Sequence, residues 1–147
     1  MAHAVTVVDV DAVPTAVVAA ATTWREFPSL WKPLLDEVWA CLRAGGITSG
    51  CRNIMLYKDA VPNVEVGVML DRPCPLTGRV VASVLPAGRV ARTVHYGSYA
   101  DLGAAHRAVT DFCGAEGLSR NGVSWETYGP HHDDPAQVWT EITYQLA

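Results

Sequence analysis

The chain has 147 residues, half of them apolar and 18% charged, with a formal net charge of −4. That composition supports one globular core and excludes a disordered chain. The basic residues stand singly, from Arg25 to Arg120, with no stripe to follow a phosphate backbone, so no nucleic-acid partner is expected.

The opening stretch, MAHAVTVVDVDAV, has no basic start, and Asp9 and Asp11 break its apolar run. It does not read as an export signal. No stretch approaches the roughly 18–20 apolar residues of a membrane span, so a cytoplasmic protein without membrane contact is expected. The cysteines Cys41, Cys51, Cys74 and Cys113 are then expected as free thiols. None forms a C-x-x-C pair, and the neighbours His131 and His132 point apart in an extended loop, so neither a metal site nor a cofactor site is indicated.

Residues 4–21 are rich in Val and Ala and break at Pro14, which predicts one bent strand or a strand pair. A helix follows, with Leu30, Leu34, Leu35, Val38, Trp39 and Leu42 at helical spacing. Ser29 is its expected N-cap, Pro33 is expected in its first turn, and Gly45-Gly46 ends it. Strands are predicted over 53–58 and 63–70, the second with Val64, Val66, Val68 and Leu70 on one face. Residues 71–78, with two prolines and a glycine, read as a linker.

The pattern then repeats. Residues 80–94 read as strand, broken at Leu85 to Gly88. Gly97-Ser98-Tyr99 opens a helix with Leu102, Ala105, Val109 and Phe112 on its apolar side. Strands follow over 123–128 and 138–146, joined by the turn-rich loop 129–135. Strand, helix, strand, strand thus occurs twice at a period of roughly 70 residues. The expected fold is a single α+β domain of two βαββ halves, 1–72 and 79–147, sharing one antiparallel sheet with two helices and a cleft near their pseudo-twofold axis.

Several stretches carry a family resemblance: LPAGRVA from Leu85, HYGSY from His95, WETYG from Trp125, Asp134-Pro135, and WTEITY from Trp139. Looser pieces are LYKD from Leu56 and VEVGV from Val64. In order and spacing the chain resembles the GyrI-like effector-binding family, which includes the drug-binding domains of BmrR and Rob. The resemblance implies a cleft for bulky aromatic, often cationic, compounds. It also implies a buried acid on the penultimate strand, which falls on Glu126. Some stand-alone members hydrolyse cyclopropanoid natural products, and a partner regulator is left open.

Glu126 and Glu141 lie on the last two strands. An antiparallel register that sets them opposite each other would bring their Cβ atoms to roughly 5 Å and favour a cation between them. The same pair could run acid–base chemistry on water, with Tyr128 as a further proton donor. The alternative is that one or both acids face solvent. Trp125, Trp139, Tyr96, Tyr128, Leu102, Trp39 and Tyr57 are the candidate walls for a planar ligand, although each would serve equally as plain core. Glu65 is a candidate for the cleft's other side. His95 is expected as a structural histidine and His106 as an exposed helix residue; His131 and His132 are expected in a loop. The functional expectation is a binding protein for a small aromatic or cationic ligand, with a glutamate-dependent cyclopropanoid hydrolase as the alternative enzyme reading.

Overall fold

The computed structural model describes residues 3–147. Eight strands and two helices follow in chain order: β1 (Thr6–Val10), β2 (Val13–Ala21), α1 (Phe27–Ala44), β3 (Asn53–Tyr57), β4 (Asn63–Met69), β5 (Val81–Leu85), β6 (Gly88–Tyr96), α2 (Leu102–Ala115), β7 (Arg120–Tyr128) and β8 (Trp139–Leu146). The class is α+β, and the paired strands described below are antiparallel. No helix among the described residues is long and apolar enough to cross a membrane.

The secondary structure divides into two compact units. The contiguous unit, Ala12–Pro86, holds α1 and four strands: β3 pairs with β4, β4 with β2, and β2 with β5. The bipartite unit joins the chain up to Asp11 with Ala87–Ala147. It holds α2 and the series β7, β8, β6, β1. Both units therefore use one pattern, a βαββ run plus an outer strand beside the run's first strand. The outer strands come from elsewhere in the chain: β1 lies on β6 rather than on its sequence neighbour β2, and β5 lies on β2 rather than on β6.

In the contiguous unit Ala16, Val17, Val18, Val64, Val66 and Val68 are all essentially sealed from water, so both faces of β2 and β4 are buried. On β4 the buried valines alternate with Glu65 and Gly67, which are buried on the opposite face, so the strand carries a buried acid. The two strands also meet closely. A Cβ on Gly67 would lie 1.9 Å from the Ala16 carbonyl oxygen, so only glycine fits there.

Helix α1 begins earlier than its sequence suggests. Pro28 occupies the first turn, where a missing N–H costs nothing, and the Thr23 hydroxyl accepts from the Glu26 N–H just ahead of it. Ser29 is inside the helix and its hydroxyl donates to the Glu26 carbonyl, so it is not the N-cap. Pro33 consequently lies within the helix, beyond the first turn. Phe27, Leu34, Val38 and Leu42 form the buried stripe, and Gly46, at φ +94, ends the helix.

In the bipartite unit α2 buries Ala105, Val109 and Cys113 against Ala91, Ile142 and Leu146. A 3-10 turn, Tyr99–Asp101, leads into it, with the Ser98 hydroxyl accepting from the Ala100 N–H. This small-residue helix face lets α2 sit close over β6 and β8, which brings its polar side chains within reach of β7.

Candidate functional site

The register of β7 on β8 decides which side chains share a face. Ser124 pairs with Tyr144, Glu126 with Ile142, Thr127 with Glu141 and Tyr128 with Thr140. Ile142 and Tyr144 pack on α2, so Ser124, Glu126 and Tyr128 face that helix. Glu141 faces the other way, opposite Thr127. The expected pairing of Glu126 with Glu141 is therefore off by one residue, and one residue of slip moves a strand's side chains to the opposite face. The same register runs on into the hairpin loop, where the Gly129 N–H donates to the Trp139 carbonyl and a Cβ on Gly129 would come within 2.5 Å of the Trp139 indole.

Glu126 is 6% exposed and is met from two elements. The Tyr128 hydroxyl, two residues along β7, donates to Oε1. From α2, His106 places Nε2 2.6 Å from Oε2. The other ring nitrogen of His106, Nδ1, lies 2.7 Å from the Tyr144 hydroxyl on β8. An ionised carboxylate only accepts, so Nε2 carries a hydrogen and donates to Glu126, and Nδ1 in the neutral ring accepts from Tyr144. Burial pushes the Tyr144 phenol above its ordinary pKa, against the pull of Arg120, whose guanidinium carbon lies 5.7 Å from the ring centroid; Glu126 and Cys113 push it further up. Tyr144 thus remains a proton donor. The result is a chain, Tyr144 to His106 to Glu126, with Tyr128 on the second carboxylate oxygen. Such a set holds a buried carboxylate in place and can also move a proton.

His106 is a correction. Expected on the exposed side of its helix, it faces the strands and is about one quarter exposed. The signal was present in the spacing: His106 follows Leu102 by four and precedes Val109 by three, which places it on the same helical stripe.

The remaining candidates scatter. Trp125 is buried on the face away from α2, across from Thr143. Tyr96, 65% exposed, pairs with Trp139 at the end of β6 and β8. Tyr99 sets its ring edge-on to Tyr128, centroids 5.9 Å apart. Leu102 packs on the α2 core. His95 is buried and structural, with Nε2 3.0 Å from the Ser98 carbonyl and Nδ1 3.0 Å from His3. His131 sits in an exposed loop beside Asp133.

Trp39 and Tyr57 belong to the contiguous unit. The Trp39 indole N–H donates to Asn53, and Tyr57 packs its ring on Phe27 and Trp24. Glu65, in the same unit, takes a hydrogen bond from the Ser83 hydroxyl and an ion pair from Lys58 at 2.9 Å. Both are local partners that satisfy a buried acid. An open hollow of about 430 Å³ in this unit is lined by Ala19, Ala20, Ala21, Lys58, Asp59, Asn63 and Val64. It contains none of the Glu126 group. It is a shallow recess whose one cation is already paired, so the converging polar groups around Glu126 are the better candidate site.

The sequence of residues 3–146 matches the GyrI-like small-molecule-binding domain. The chain belongs to this family. Solved structures share the GyrI-like fold: the C-terminal domain of EcmrR superposes with a TM-score of 0.79 at 18% identity, over 100% of this chain and 99% of that one. In the EcmrR–DNA complex the match spans 58% of the EcmrR chain, with a TM-score of 0.78 at 19% identity over 99% of this chain. SAV2435, solved bound to tetraphenylphosphonium, gives 0.71 at 10% identity over 100% of this chain and 94% of that one. A hydrolase from Listeria innocua gives 0.61 at 10% identity over 97% and 91%. No curated protein sequence matches the chain significantly.

Proposed function

We propose that this GyrI-like chain binds bulky aromatic compounds, cations among them, at the Glu126 carboxylate of the bipartite unit. The observation that carries this reading is a carboxylate 6% exposed and flanked by phenol rings. A buried carboxylate favours a cation, and the faces of Tyr128 and Tyr99 suit an aryl group by stacking and cation–π contact. The family's small-molecule binding and the tetraphenylphosphonium bound to SAV2435 support the same chemistry. Glu141, facing away from α2, has no part in this site. The test is calorimetric titration with tetraphenylphosphonium. Binding should weaken about tenfold in Glu126→Gln, which keeps the shape and removes the charge; equal affinity in the two proteins would refute the assignment.

A second reading, hydrolysis of reactive cyclopropane-bearing aromatics, is favoured by one observation: Glu126 and Tyr144 are both joined to His106. Glu126 would activate water and the Tyr144 phenol, held protonated by burial, would supply a proton. Incubation with a cyclopropanoid substrate and product analysis tests it: return of the compound unchanged excludes the reading.

A further inference from the structure

The Glu126 carboxylate is not offered to a ligand bare. His106 already lies against it at 2.6 Å, and the ring's far nitrogen is held by Tyr144 at 2.7 Å. Both protonation states of the imidazole fit this geometry. In the neutral ring Nδ1 accepts from the Tyr144 hydroxyl; in the charged ring Nδ1 donates to the same oxygen. Nε2 donates to Glu126 in both. The network therefore loses no hydrogen bond when His106 takes up a proton, yet the charge of the His106–Glu126 pair changes from −1 to zero.

The nearest fixed charge is Arg120, over the Tyr144 ring, and it stays constant while His106 changes state. On the strands packed against α2, the helix-facing titratable groups are Asp9 on β1, Arg89 and His95 on β6, Tyr144 on β8, and Glu126, Tyr128 and Arg120 on β7; Asp9 and Arg89 are exposed cross-strand partners, and α2 adds the buried Cys113. His95 is bound to Ser98 and His3. Arg120 lies over the Tyr144 ring. In the turn leading into α2, Tyr99 and Asp101 are exposed. On α2 itself Arg107 and Asp111 are exposed, where charges are screened by water and salt.

We propose that His106 decides whether this site accepts a cation: cationic aryl compounds bind when its imidazole is neutral and are disfavoured when it is protonated, while uncharged aryl compounds bind in either state. This rests on the binding reading given above and adds the selecting residue. The sign follows from linkage. A cation and the proton on His106 compete for the same carboxylate, so each weakens the other, and cation affinity rises as pH rises. An uncharged ligand does not compete and shows little pH dependence.

Two probes that do not titrate separate these cases: tetraphenylphosphonium, a fixed cation, and triphenylphosphine oxide, uncharged. Calorimetry with the full chain at pH 5.5 and pH 8 should show the cation binding about tenfold tighter at pH 8, with the uncharged probe nearly level. In His106→Gln the carboxamide can still donate to Glu126 but cannot titrate, so the pH slope for the cation should vanish. In His106→Lys the fixed charge should abolish cation binding at both pH values and leave the uncharged probe bound. Circular dichroism verifies each fold, and His106→Asn replaces the Gln variant should that one fail to fold. A cation slope that persists unchanged in His106→Gln overturns the selectivity alone. Absence of binding by either probe to the unsubstituted protein at either pH overturns the binding reading and the selectivity together.

Discussion

Replacing His106 with alanine should destabilise the bipartite unit by about 1–2 kcal/mol. The substitution removes the donor at 2.6 Å from Glu126 Oε2 and the acceptor for Tyr144, while the Glu126 side chain is only 8% exposed. Leaving a buried acceptor without its partner costs roughly 1–3 kcal/mol, and more when it is charged. The lower part of that range applies here, because His106 is itself one quarter exposed and its removal admits water to the carboxylate. Tyr128 still holds the other oxygen. A loss of this size lowers the melting temperature of a domain of about 150 residues by roughly 2–8 °C. The assay is urea unfolding of the unsubstituted protein, His106→Ala, Glu126→Gln and the double variant. The cycle should return a coupling of about 1 kcal/mol between the two positions. His106→Ala within about 0.3 kcal/mol of the unsubstituted protein, with additive effects in the double variant, would refute the view that the two side chains form one buried network.

Gly67→Ala should fail to fold or lose roughly 3 kcal/mol or more, because its Cβ would lie 1.9 Å from a backbone oxygen that cannot swing aside; soluble yield and circular dichroism read this. Thr140→Val should be neutral or stabilise by about 1 kcal/mol, since the fully buried Thr140 hydroxyl has no hydrogen-bond partner among the described residues; chemical unfolding measures it. The Tyr144 phenol, raised by burial, binds its proton more tightly in the folded chain than in the unfolded one. Its contribution to stability is therefore intact below the ordinary tyrosine value of 10.0 and is lost as pH climbs from there through the folded value. Unfolding between pH 9 and 12 should show a smaller loss in Tyr144→Phe.

The fold was largely legible, and the reasons are local. Val and Ala at β2, the alternating valines of β4 and the helical stripes of α1 and α2 each state their element through spacing. What spacing could not state was partnership. Nothing local tells β1 to lie on β6 or β5 to lie on β2, since outer strands choose partners through the whole fold. Glu126 was legible as a buried acid. Its neighbours were not, because one residue of register between β7 and β8 decides which side chains face α2, and periodicity along a single strand does not encode that register. His106 was readable in principle from its place on the helical stripe. A histidine there invites an exposed reading until a buried acid is known to face it.

The most direct measurement is a nuclear magnetic resonance titration of the labelled protein with tetraphenylphosphonium, following backbone and side-chain shifts. Ligand held at the carboxylate should perturb Glu126, Tyr128, His106 and Tyr144 together. Perturbation confined to Lys58, Asp59 and Asn63 around the hollow of the contiguous unit, with the Glu126 group unmoved, would contradict it.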